Sequence, residues 1–376
     1  MHFSYNNVCL EALSYALPEE VVTSAQIEDW LEPLYRRLRL PEGRLELMTG
    51  IAERRFWPAG MLPGAMSVQT AEKAIRMAGL DKRHVGALVH GSVCRDYVEP
   101  ATACAVHHGL GLPEACMIYD LSNACLGLLS GAVQVANMIE LGQIRAGVVV
   151  GTESSRGLVE NTIRQLNSDT SLSRNGIKSA VASLTIGSGS AALVLVDRCL
   201  SRTGNRLLGG VARANTEFCH LCRSQRDESA DAAELLMSTD SEALLQQGVQ
   251  TARLAFDEFL ETLGWQKARI DKSFCHQVGR AHQKLLFEAL GLDPRIDFAT
   301  FDRLGNTGAV ALPTAAAIGI EQGRLVAGDR VALLGIGSGI NVLMLGLDWQ
   351  KGPVEPGTSP AAVRQPSESG LPAATP

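Results

Sequence analysis

No uninterrupted apolar run in this 376-residue chain reaches the length of a membrane-spanning helix. The opening, "MHFSYNNVCLEALSY", lacks the charged-then-apolar layout of a signal peptide, so a cytoplasmic protein is expected. Basic residues are not in excess: 34 Lys and Arg stand against 40 Asp and Glu, a formal net charge of −6. They are also dispersed, which argues against nucleic acid as the main partner. Nine cysteines without a secretion signal read as reduced thiols, not as a disulfide framework. One pair, Cys219 and Cys222 in "CHLC", has C-x-x-C spacing with His220 between. A structural zinc site takes about four ligands, and no second pair sits nearby, so no metal is expected.

What is present is a globular composition, 46% hydrophobic and 20% charged, long enough for two core-forming units. The last stretch, "KGPVEPGTSPAAVRQPSESGLPAATP", is rich in Pro, Ser, Gly and Ala and has no apolar period. It cannot bury enough surface to offset its ordering entropy, and 351–376 is expected to be a disordered tail. The remainder repeats itself once. "VQTA" occurs at Val68–Ala71 and at Val249–Ala252, and A-x-x-I-E-x-G-x-[I/L]-x-A-G at Ala136–Gly147 and Ala317–Gly328, both at an offset of 181 residues. Two halves of one architecture are expected, roughly 1–200 and 206–350.

Each half alternates strand and helix patterns, which implies an α/β layered fold. "HVGALVHGSV", "AGVVVGTES" and "RVALLGIGSG" read as strands. "LLSGAVQVANMIELG" and "GRAHQKLLFEALG" read as helices stopping at Gly142 and Gly291. In "SNACLG", Cys125 stands where a strand gives way to an apolar helix. There a helix N-terminus favours a thiolate, although a buried small hydrophobe is the plainer reading. The same offset carries Cys125 onto Asn306, so that "NAC|LGLLSGA" and "LGN|TGAVALP" begin equivalent helices. A pseudo-two-fold axis would bring these two starts to one site. His276, in "CHQVGR", follows a short strand, and sites in α/β sheets lie at strand carboxyl ends. Alone, His276 reads as a core histidine and Asn306 as an Asx turn. Together, Cys, His and Asn can form a thioester on sulfur and donate hydrogen bonds to its carbonyl oxygen.

"TGIAERR" (Thr49–Arg55), "SNACLG", "CHQVG", "GNTGAVALP" and "LLGIGSG" follow one another across nearly the whole of 1–350. In this order they resemble the ketoacyl synthase III-type enzymes of the thiolase superfamily. The resemblance implies a duplicated, five-layered αβαβα thiolase-like fold, a homodimer, and Cys125 as acyl acceptor beside His276 and Asn306. "SVCRDYVEPATA" (Ser92–Ala103), "NTEFCHLCR" (Asn215–Arg223) and "GDRVALLGIGSGINVLMLGLDW" (Gly328–Trp349) narrow it to OleA-type enzymes of olefin biosynthesis. These join two fatty acyl-CoAs by a non-decarboxylative Claisen condensation. In them the glutamate matching Glu99, 26 residues before Cys125, reaches into the partner subunit's site. The sequence departs from the malonyl-using synthases at Met48, where they carry Arg, and at Gly279, where "HQAN" becomes "HQVG".

A non-decarboxylative condensation must remove a proton next to a thioester carbonyl, and a carboxylate raised in pKa by apolar surroundings suits that task. The plainer role for Glu99 is to cap a helix beginning near Pro100. The resemblance implies an oxyanion hole from the Cys125 N–H and one N–H in Gly337, Ser338 or Gly339. It implies acyl-CoA thioesters as substrates with no bound cofactor, and downstream enzymes that consume the β-keto acid. The alternatives are a decarboxylating 3-oxoacyl synthase using a malonyl donor, and a non-catalytic partner subunit, which typically lacks the cysteine retained here.

Overall fold

The protein is described by a computed structural model that covers residues 1–227 and 234–352. Apart from its first two positions, the expected tail lies outside the described residues. No helix of the described residues is long and apolar enough to cross a membrane.

The main sheet is built from two sets of strands. The first set is β1 (Val8–Ala16), β2 (Val85–Gly91), β3 (Met117–Leu121), β4 (Ala146–Glu153) and β5 (Gly189–Asp197). The second is β6 (Arg206–Ala214), β7 (Lys272–Cys275), β8 (Arg330–Gly337) and β9 (Asn341–Asp348). The spatial order runs β7-β8-β9-β6-β1-β5-β4-β2-β3, with His2–Ser4 added beside β6. Each half therefore repeats one order outward from the centre, and β3 is an extra strand at one edge. The halves are joined through β1 and β6 by the single pairing Cys9–Arg206.

Six helices fill the layers: α1 (Pro63–Ala78), α2 (Thr102–Leu110), α3 (Gly127–Glu140), α4 (Ser241–Leu263), α5 (Arg280–Leu290) and α6 (Ala311–Glu321). One core joins α1 and α2 to the outer face of the first set of strands. A second joins α4 and α5 to the outer face of the other. The largest core lies between the two sets and holds α3 and α6. The succession α, β, α, β, α is the thiolase-like arrangement. Amphipathic sequences form the outer helices. The sandwiched pair is apolar nearly all round, as "ALPTAAAIGIE" of α6 shows, with eight of its residues buried.

Close packing sets where α3 begins. A Cβ on Gly127 would lie 2.6 Å from the Gly91 carbonyl oxygen, so the helix start sits directly against the end of β2. That approach requires glycine at both positions and fixes the Cys125 turn at the carboxyl end of the strands.

The repeat is visible in the helices but slips at their starts. The helix ends Glu140 and Glu321 keep the 181-residue offset. The starts Gly127 and Ala311 are 184 apart, because α6 has 11 residues and α3 has 14. Each helix follows a single 3₁₀ turn, Ala124–Leu126 or Gly308–Val310. By local conformation Cys125 therefore matches Ala309, and Asn306 stands three residues earlier than the repeat offset predicts.

Candidate active site

The residue ahead of Cys125 is the first mark of a site. Ala124 is left-handed at φ +45°, one of two such non-glycine residues among those described. That conformation costs roughly 1–2 kcal/mol for a residue with a Cβ, and it turns Cys125 out of the strand-to-helix corner. The Cys125 turn packs against the Gly308–Val310 turn and against β8. The loop after β8 lies beside the sulfur, and the N–H groups of Ser338 and of Cys125 itself favour its ionised form. Asn341 Nδ2 donates to Asn123 Oδ1 at 3.1 Å, and Asn123 Nδ2 donates to Ser130 Oγ at 2.9 Å, tying that loop to the start of α3.

The expectation of a thiolate favoured by the helix N-terminus is not met. Burial pushes the Cys125 thiol up to about 12, helped by the negative charge of Glu153 and by Cys222, while the two N–H groups only partly oppose it. Desolvation outweighs the dipole, and the resting residue is a neutral thiol. His276 is neutral as well. Burial and the neighbouring His282 bring it down to about 3, and its Nδ1 is enclosed without a partner. The resting pair is thus thiol and imidazole, not thiolate and imidazolium.

His276 leaves β7 beside β8, its N–H bonded to the Leu334 carbonyl at 3.1 Å. The next residue ties it to the Asn306 segment: Gln277 Oε1 accepts the Thr300 N–H at 2.8 Å. Asn306 is pinned by its backbone, donating to Thr185 O and accepting from the Gly187 N–H, both at 2.9 Å. Its Oδ1 accepts the Gly308 N–H at 3.0 Å. The Asx turn is real, and it orients the side-chain amide so that Nδ2 remains as the donor. A Cβ at Gly279 would stand 2.8 Å from the Thr49 carbonyl oxygen, so the backbone approach there excludes the Asn of other synthases in this conformation. Met48 is exposed nearby on the chain.

Glu99 stands apart. It is exposed, on the loop from Val93 to Ala101 that carries the exposed Val93, Tyr97 and Val98. It does not cap α2. That helix is capped by Asp120, whose carboxylate accepts the Thr102 and Ala103 N–H groups at 2.8 and 2.9 Å. The loop is held at its base instead: Asp96 Oδ1 accepts the Gly64 N–H at 2.7 Å, and the Asp96 N–H donates to Thr102 Oγ1 at 3.1 Å.

Three participants were not read from the sequence. Glu153 closes β4 as a buried carboxylate behind Cys125. A single acid at the carboxyl end of a strand that is otherwise apolar but for Thr152 was the available signal. Gln277 is the second. Cys222 is the third: the "CHLC" pair is split, with Cys219 exposed and Cys222 facing the Cys125 sulfur while accepting from Thr239 Oγ1 at 3.4 Å. Among the described residues no group of three or more His, Cys, Asp or Glu is arranged to hold a metal ion.

Known proteins resemble this chain in sequence and fold. The family model "Thiolase, N-terminal domain" matches residues 59–179, and that of the 3-oxoacyl-[acyl-carrier-protein] synthase III C terminal matches 260–349. An acyl-CoA:acyl-CoA alkyltransferase of Shewanella oneidensis is 42% identical over 349 residues, covering 92% of this chain and 99% of that one. The chain belongs to the acyl-CoA:acyl-CoA alkyltransferase family. A second member, from Xanthomonas campestris pv. campestris, is 34% identical over 345 residues, 92% of this chain and 99% of its own. A crystal structure of Xanthomonas campestris OleA superposes with a TM-score of 0.87 at 34% identity, covering 93% of this chain and 100% of that one. With the alkyltransferase family the chain also belongs to the thiolase-fold acyltransferases.

Proposed function

We propose that this chain condenses two fatty acyl-CoA thioesters without decarboxylation, yielding a β-keto acid through an acyl group on Cys125. The reading takes 1–200 and 206–350 as the two duplicated halves and places the enzyme in the cytoplasm. One observation carries it: the Cys125 turn packs against β8 of the other half, which brings the Ser338 N–H to the same side of the sulfur as the Cys125 N–H. Such a pair receives the oxyanion of a thioester under attack. A Xanthomonas campestris OleA variant with its cysteine replaced by serine has been solved with lauric acid and lauroyl-CoA. In other variants of that enzyme the substituted glutamate and cysteine stand 26 residues apart, as do Glu99 and Cys125.

In the first step the Cys125 sulfur attacks the acyl carbonyl, the carbon–sulfur bond to CoA breaks, and the thiol proton leaves with CoA. A second acyl-CoA then loses its α-proton to Glu99. The carbanion attacks the Cys125 thioester, the bond to Sγ breaks, and the departing thiolate takes up the proton that Glu99 gives back, which resets both groups. Neutral His276 and Asn306 Nδ2 hold the enolate oxygen by hydrogen bonds. Water cleaves the remaining CoA thioester to release the β-keto acid for downstream enzymes. No bound cofactor enters these steps.

Glu99 serves the site of a second copy in this scheme. The outer edge of β3 pairs with no strand among the described residues, and Met117 upon it is exposed, as are Val93, Tyr97 and Val98 on the adjoining loop. A homodimer meeting at this edge covers them and carries Glu99 across.

Incubation with one long-chain acyl-CoA and no malonyl donor tests the reading. A β-keto acid is expected without carbon dioxide release from a donor. Glu99→Gln should slow condensation by about 10²–10⁴-fold and stop CoA release near one equivalent per site, with acyl-enzyme visible by intact mass. Mixing it with Cys125→Ala should restore activity in hybrid dimers. Product formation only when malonyl-CoA is supplied sinks the proposal.

A further inference from the structure

We infer that Glu153 is a positioning residue that holds the Asn306 turn and the base of the Glu99 loop to a single buried carboxylate. Resting on the condensing function above, the inference concerns a residue outside the four that carry its chemistry.

Glu153 ends β4 and is 5% exposed. Its carboxylate accepts three backbone N–H groups from two separate segments. Val93 donates to Oε1 at 3.0 Å and Cys94 to Oε2 at 3.3 Å. Ala309 donates to Oε1 at 3.3 Å from the turn that follows Asn306. The side chain also lies against Gly308, where a Cβ would stand 3.3 Å from Oε1. Gly308 is the residue whose N–H orients the Asn306 amide. The Glu153 main chain is fixed in turn, its carbonyl accepting Trp57 Nε1–H at 3.1 Å.

Burying an acid is costly unless it is hydrogen-bonded. A group needed only for packing could be apolar here. The N–H groups explain what the acid does: Val93 and Ala309 donate to it from turn segments, and Cys94, which also donates to Ser92 Oγ at 3.1 Å, adds a third contact. The Val93–Cys94 segment begins the loop that ends in Glu99, and Ala309 follows Asn306. One side chain therefore sets the donor of its own site and the root of the loop directed to the partner's.

The same charge acts on the nucleophile. Glu153 and Cys222 are the titratable groups that face the Cys125 thiol and raise it, and Cys94 faces Glu153 from the loop. Burial raises the Glu153 carboxyl itself, against the pull of its N–H donors. Removing the charge should ease ionisation of Cys125 while loosening the two segments. A residue that merely filled space would change neither.

The test uses the full chain and two readouts: the pH profile of Cys125 alkylation by iodoacetamide, and condensation of a long-chain acyl-CoA. Glu153→Gln should move the alkylation profile to lower pH by about one unit or more and slow condensation by about 10²-fold. Gly308→Ala keeps the charge but pushes on the carboxylate, so condensation should fall with the alkylation profile unmoved. If Glu153→Gln does not fold, Glu153→Asp takes its place, with the profile retained and condensation reduced. Wild-type condensation in these variants, or an unmoved alkylation profile in a folded Glu153→Gln, overturns the inference. A wild-type enzyme that forms no β-keto acid from acyl-CoA alone overturns the condensing function instead, and the alkylation result still decides the charge contact.

Discussion

Ala124 and Gly308 occupy matching left-handed positions, φ +45° and +57°, at the head of the two helices buried between the sheets. One turn presents a sulfur and the other gives its next N–H to a carboxylate. In the second half glycine takes the left-handed conformation without strain, and a Cβ there would touch Glu153 at 3.3 Å. In the first half alanine takes it at a cost, and the strain is confined to the residue before Cys125. Duplication supplied the same corner twice. The two copies differ in what each turn meets: β8 and the loop that carries Ser338 on one side, Glu153 on the other.

The comparison can be broken most severely at Asn306. If the second turn exists to present a donor, Asn306→Ala should slow condensation by about 10²–10³-fold while acylation of Cys125 from acyl-CoA is much less affected, measured by single-turnover mass analysis. Equal small effects on both steps would reduce the second turn to scaffolding.

The first turn is sharpened by chemistry on its sulfur. With the thiol near 12, alkylation by iodoacetamide should rise about tenfold per pH unit, hence about 100-fold between pH 7 and 9, since the thiolate is the reactive form. A plateau beginning near neutrality would mean that the helix dipole wins after all.

The smallest effect probes the backbone alone. Ala124→Gly relieves the left-handed cost but adds unfolded-state entropy, and it should change stability by no more than about 1 kcal/mol. Gly308→Ala should destabilise by roughly 1–2 kcal/mol. Denaturant midpoints check both, and equal losses would contradict the asymmetry.

Much of this was legible in the chain. The strands around Val85–Gly91, Ala146–Glu153 and Arg330–Gly337 announce themselves as apolar runs, and Gly291 stops its helix where expected. The repeat showed two equivalent helices. It misaligned their starts by three residues, because helix length can change by nearly one turn while the apolar faces stay in register. Cys125, His276 and Asn306 were readable as motifs. The sign of the Cys125 shift was not, since a dipole is visible in sequence order and desolvation arises only from long-range packing. Glu99 as a cap was a fair local reading. Asp120, 18 residues beyond Thr102, took the task through a strand that sequence proximity does not reveal. Glu153 and Gln277 went unread for the same reason: their partners are distant in the chain.

The placement of α3 and α6 between two sheets has a consequence for motion. Nine residues of α3 and eight of α6 are buried, with Gln134 of α3 exposed, so most of their amides reach solvent only when the layers separate. In hydrogen exchange such segments belong to the set released only by global opening. Cys125 and Asn306 are mounted at the heads of these two slowest-opening elements, so the donors and the sulfur keep their separation while the surface loops around them fluctuate. Local breathing at the rim, which acyl chains need for entry, is thereby uncoupled from the geometry that bond formation requires.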